Sequence, residues 1–142
     1  MNQATPSPVR RVTIILHSGA YDRASYALSL ALVALAMGCE VHMLLTYGGL
    51  LRFTKGRLEK IGEETPEPER RIVEHGLSTG GIEPLGKYLD NARKLGLRLY
   101  ACANAMAVMN ISRAQLVSEV DEVTGLAAFM RLAQEADINW YI

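Results

Sequence analysis

The chain has 142 residues, of which 49% are hydrophobic and 21% charged; this is enough apolar material to bury the core of one ordinary domain, and it excludes disorder over most of the length. Lysine plus arginine equals aspartate plus glutamate at 15 each, with a pI near 6.8. The chain therefore has no overall positive field to draw in a phosphate backbone, and nucleic acid is not an expected partner.

Residues 1 to 9 place polar residues and prolines where a secretory leader needs an apolar core, and read as a loose tail on a cytoplasmic protein, with a single domain over 10–142. Arg11 to His17 is a β-branched run closed by Ser18-Gly19, the pattern of a buried strand. A helix is expected from about Tyr21 to Met37, with Asp22 at its start, Leu28, Leu32 and Leu35 on one face, and Gly38 as its stop. Its most apolar run, Ala27 to Met37, is about half the length of a membrane span, so no span is expected. Glu40 to Thr46 reads as a second strand, parallel to the first across a right-handed crossover.

Tyr47 to Thr54 leaves that strand through two glycines and reads as a short helix or lid element. Lys55 to Arg71 is densely charged, holds two prolines and reads as an exposed excursion, with a mobile flap as its functional alternative. Ser78 to Gly81 supplies turn chemistry, and Pro84 opens a helix with Leu85, Leu89, Ala92 and Leu95 at helical spacing before Gly96. In Leu97 to Asn110 the period changes: Leu97, Leu99 and Ala101 alternate as in a strand, while Ala103 to Asn110 has the composition of a helix. Cys102 sits at that change. Arg113 to Val117 reads as a turn of helix, Asp121 to Val123 as a short strand, Gly125 to Ala136 as an amphipathic helix and Asn139 to Ile142 as a fifth strand. The alternation predicts an α/β fold: a three-layer α/β/α sandwich around a mostly parallel five-stranded sheet.

The carboxyl ends of parallel strands share one edge, where ligands of such folds bind, and here that edge gathers His17-Ser18-Gly19, Thr46-Tyr47-Gly48, Ala101-Cys102 and Val123-Thr124. Cys102 is the competent nucleophile among them, with the N–H groups of Ala103 and Asn104 at a helix start that favours negative charge. His17, Gly19, Tyr47, Gly48, Ala103 and Asn104 are the candidate ligand-binding residues. The competing reading of Cys102 is a small buried apolar residue. Cys39 falls at the opposite, amino edge, beyond disulfide reach, and two cysteines without CxxC spacing suit a reducing compartment. His17, His42 and His75 form no HxxxH or CxxH grouping, so no metal is expected, and without GxGxxG or GxxxxGK[ST] no cofactor is expected either.

Together, VTIILHSGAYDRASYALSLALVALAMGCEV, LLTYGG, GIEPLGKYLDNARKLGLRLYAC and DEVTGLAAFMRLAQEAD resemble the DsrE/DsrF-like sulfur-relay family. The resemblance implies a parallel five-stranded α/β/α fold, assembly into a homo-oligomer (trimer or hexamer), and sulfur donor and acceptor proteins as partners. It also implies a cysteine after the third strand that carries sulfane sulfur as a persulfide, a position matched by Cys102. The sulfur-oxidising and tRNA-thiolation branches have Arg-Arg-Gly a few residues after the cysteine, where this chain has Val108-Met109-Asn110. Two functions follow as expectations. One is a sulfur carrier or sulfurtransferase accessory protein with a moderately reactive Cys102, alkylated faster than Cys39. The other is a non-catalytic oligomeric protein for small-anion binding or assembly, with Cys102 inert. Leu50, Leu51, Phe53 and the stretch Asn139-Trp140-Tyr141-Ile142 read as spare apolar surface, some of it expected to be covered by another subunit.

Overall fold

Strand β1 (Arg11–Leu16) alternates Val12, Ile14 and Leu16 on one face with Thr13 and Ile15 on the other, and both of its edges are paired. The computed structural model describes residues 9–142, so the expected tail lies outside the described residues except for Val9, which packs against the core. β2 (Glu40–Leu45), β3 (Arg98–Cys102), β4 (Glu122–Thr124) and β5 (Ile138–Tyr141) complete a sheet of order β4-β3-β2-β1-β5, with every neighbouring pair parallel. The expected α/β/α architecture around a five-stranded sheet is what the chain adopts.

The helices are α1 (Tyr21–Ala36), α2 (Gly48–Arg52), α3 (Glu69–Thr79), α4 (Leu85–Lys94), α5 (Ala103–Met109) and α6 (Leu126–Gln134), with a 3-10 turn at Arg113–Gln115. The path from β1 through β4 steps in one direction, so right-handed crossovers place α1 and α4 on one face of the sheet. Ala24, Ala27, Leu28 and Ala31 of α1 and Leu85, Leu89 and Ala92 of α4 are fully buried there, the alanines letting the two helices lie close. The return from β4 to β5 carries α6 across the other face, where Phe129 meets the Tyr100 ring edge-on at 5.8 Å. That face is thinly covered: of α6 only Phe129 is buried, and Leu126, Met130 and Tyr141 are 49%, 54% and 70% exposed. No helix of the described residues is long and apolar enough to cross a membrane.

Two expectations about the middle of the chain need correction. Glu69–Thr79 is a helix, although ERRIVEHGLST reads as excursion and turn; only Val73 is buried, so the segment lacks the apolar stripe that announces a helix. The excursion before it is exposed over most of its length, as expected, and it is tied down by Arg52. This side chain is almost wholly buried, and its guanidinium donates to the carbonyls of Gly19 (2.8 Å), Arg57 (3.1 Å), Leu58 (3.3 Å) and Lys60 and to Glu64 Oε1 (2.6 Å). It also lies over the Tyr21 ring at 5.3 Å. Glu59 accepts from Tyr21 Oη (2.9 Å), Leu85 N (2.8 Å) and Gly86 N (3.0 Å), and so caps α4 from the excursion. Thr65, fully buried, accepts from Tyr21 N at 2.8 Å. Leu50 and Phe53, expected as spare apolar surface, are fully buried within their own chain; Leu51 and Tyr141 are the residues left outside.

Candidate functional site

Cys102 is the last residue of β3 and the N-cap of α5. Strand alternation and register put it on the α6 side of the sheet, with Tyr100 on its own strand and Thr124 beside it on β4. Thr124 leads through Gly125 straight into α6. The residue is 2% exposed and belongs to the hydrophobic core, and its sulfur has no hydrogen-bond partner among the described residues. The strand-to-helix junction read from the sequence is therefore present, but its thiol is covered. Ala103 and Asn104 open α5 as expected, Ala103 half-buried and Asn104 exposed.

His17 does not meet Cys102. β2 lies between their strands, which sets the two backbones roughly 10 Å apart at about 4.8 Å per strand. The His17 ring instead packs against Tyr47 at 5.4 Å and Tyr141 at 5.9 Å between ring centres. Tyr47 reaches it through an unusual backbone: an extended residue after Thr46 would turn towards α1, but Tyr47 has φ 47° and ψ −117°, which breaks the strand and starts α2. A non-glycine residue in that region costs about 1–3 kcal/mol, a strain found most often at functional sites. Tyr141 is the member of this cluster that the sequence reading did not single out; the signal available was an aromatic residue at the carboxyl end of a fifth strand.

The backbone donors at the end of β1 are already engaged. His17 N and Ser18 N both donate to the Ile142 carbonyl, at 2.7 and 3.2 Å, so this strand end offers no free N–H pair to an anion. Gly19 and Gly48 are brought together as expected, and the reason they are glycines is packing. A Cβ on Gly48 would lie 2.6 Å from Gly19 N, and one on Gly19 would lie 2.8 Å from Gly48 O. The loops after β1 and β2 touch backbone to backbone.

Cys39, by contrast, precedes β2 at the amino edge, with its thiol directed at the Val9 carbonyl at 3.4 Å. The length of a strand, roughly 20 Å, separates it from Cys102, and both cysteines are free. His42 is a buried structural residue: Nδ1 is 2.7 Å from Tyr100 Oη, and Nε2 lies 3.3 Å from Glu40 Oε2 in poor alignment for a hydrogen bond. Burial holds its imidazole below the usual histidine range in spite of the nearby carboxylate.

Comparison with known proteins settles the family. The pattern of the DsrE/DsrF/DrsH-like family matches residues 58–141, more than half of the chain, including α4, β3, Cys102 and β4 through β5. The chain belongs to this family. The uncharacterized protein YrkE of Bacillus subtilis is 28% identical over 94% of this chain and 97% of its own. Among solved structures, the DsrE-like fold recurs in the YchN protein of E. coli, with a TM-score of 0.62, 14% identity, and 94% of this chain and 99% of that one covered. It recurs again in MTH1491 of Methanobacterium thermoautotrophicum, described as a protein of unknown function, with a TM-score of 0.56, 16% identity and coverage of 94% and 97%. At such identities these structures speak for the fold alone.

Proposed function

We propose that this member of the DsrE/DsrF/DrsH-like family is a sulfur carrier or sulfurtransferase accessory protein of the cytoplasm, loaded on Cys102. Family membership supports a role related to sulfur relay, and one observation carries the assignment to a residue: the thiol closes β3 at the carboxyl edge of a parallel sheet, at a strand-to-helix junction. The Cys102 thiolate attacks the outer sulfur of a donor persulfide, the donor leaves as its own thiolate, and Cys102 becomes a persulfide. Attack by an acceptor thiolate on that outer sulfur restores Cys102, with no net oxidation in either step. Donor and acceptor are partner proteins presenting thiols.

At 2% exposure the thiol must be uncovered for each transfer, and both the helix it caps, α5, and α6 on its side of the sheet are lightly anchored, with one buried residue each, Ala105 and Phe129. The test is iodoacetamide labelling of the native chain with peptide mapping, from mildly acidic to mildly alkaline pH. Labelling of Cys102 that rises with pH is expected. A Cys102 that stays unlabelled while the fold is intact overturns the reading and leaves the alternative, an oligomeric binding or assembly protein with Cys102 as an inert core residue. The 2% exposure is the observation that favours that alternative.

We further propose a homo-oligomer, a trimer or hexamer, supported by the exposed Leu126, Met130 and Tyr141 on the thinly covered α6 face. Light scattering at micromolar concentration should give a mass at least three times that of the 15.6 kDa chain. A monomer mass removes the proposal.

A further inference from the structure

A cavity of about 450 Å³ opens beside the carboxyl edge, between the loops after β1 and β2 and the segment anchored by Arg52. It contains neither Cys102 nor the His17 cluster. Gly19, Gly48 and Gly62 bring bare backbone to its wall, Leu51 and Ile61 give it apolar surface, and the exposed residues Arg57 and Lys60 are part of its rim. The remaining charges there are the buried Arg52 and the partly exposed Glu64, which are paired with each other at 2.6 Å. Arg57 and Lys60 are in no ion pair among the described residues. Glu59, which could have neutralised one of them, is committed to the start of α4.

The loop's construction explains why these two cations stand free. Arg52 draws the carbonyls of Arg57, Leu58 and Lys60 inward onto one buried guanidinium, so the segment is shaped by its backbone and its two cationic side chains have no structural duty. Pockets of 300–1,000 Å³ with mostly apolar walls and a few placed polar groups are the usual form of small-molecule sites. The geometry points to a binding site for a small organic anion with an apolar body, its charge held by Arg57 and Lys60 and its body against Leu51 and Ile61. The site stands independently of the Cys102 chemistry and does not need it.

The probe is a pair of fluorescent dyes of similar shape, anilinonaphthalene sulfonate as the anion and N-phenylnaphthylamine as its uncharged counterpart, titrated into the full chain. In the double variant Arg57→Gln with Lys60→Gln, the dissociation constant of the sulfonate should rise at least ~5-fold while that of the neutral dye stays within ~2-fold. Ile61→Ser should weaken both dyes. Both variants change side chains that take no part in the Arg52 network, and an unchanged thermal midpoint checks that they fold. A smaller rise for the sulfonate, or an equal loss of both dyes in the double variant, overturns the proposal and assigns the dye to ordinary apolar surface such as the groove around Ile72 and Ile82.

Discussion

Incubating the full chain with polysulfide should add one sulfur atom to Cys102 and none to Cys39, and dithiothreitol should remove it. Cys102→Ala should lose the adduct entirely, while Cys39→Ala keeps it. The expected contrast is all or none because the two thiols occupy opposite ends of the sheet and cannot exchange sulfur within one chain. Removing a buried sulfur costs stability as well, on the order of 1 kcal/mol, so the variant must be shown to fold before its silence counts. An adduct that persists in Cys102→Ala, or one found on Cys39 alone, sinks the carrier reading.

Replacing the buried Arg52 by methionine should be the most destabilising single change among the charged residues that hold the excursion, by about 3 kcal/mol. The figure rests on what is left behind: carbonyls of Gly19, Leu58 and Lys60 turned inward with no donor, and Glu64 without its partner. Glu64 is itself partly exposed, which keeps the estimate below the upper range for a broken buried pair. Denaturant unfolding measures it directly, and a thermal midpoint lower by roughly 10 °C should accompany it. The sign of the pH dependence is fixed too. Burial pushes the Glu64 carboxyl up, but the Gly62 N–H and the Arg52 guanidinium outweigh it and hold the group below its ordinary value of 4.5. The pair's contribution is therefore complete above about 4.5 and fades as pH falls through the lower folded value, so the gap between wild type and Arg52→Met should narrow in acid. A variant as stable as wild type at neutral pH would show that the segment is not anchored by this residue.

The order of elements could be read in the sequence because each carries a local sign: the β-branched run of β1, the alternation of Leu97, Leu99 and Ala101, and glycines at the ends of α1 and α4. What stayed hidden depends on partners distant in sequence. Arg52 reads as a surface cation in LLRFT, and only the return of Gly19 and Lys60 to one point makes it a buried hub. The glutamate that caps α4 is 26 residues away from Leu85, too far for any capping motif to show. Cys102 was placed correctly at its junction, but its burial and its separation from His17 follow from strand order, which no single stretch encodes. Tyr47 left a partial trace: two glycines follow it, a hint of tight backbone without a sign of which residue takes the left-handed conformation.

The position of β5 bears on how the protein is made. Thr13 and Asn139, partners across β1 and β5, are 126 residues apart, so β1 waits for the last part of the domain to leave the ribosome before its second edge is closed. Until then Val12, Ile14 and Leu16 lie along an open strand edge, the kind that pairs with another chain as readily as with its own. Nascent chains stalled before Ile138 would present that edge for as long as they persist, and would lean on chaperones in proportion.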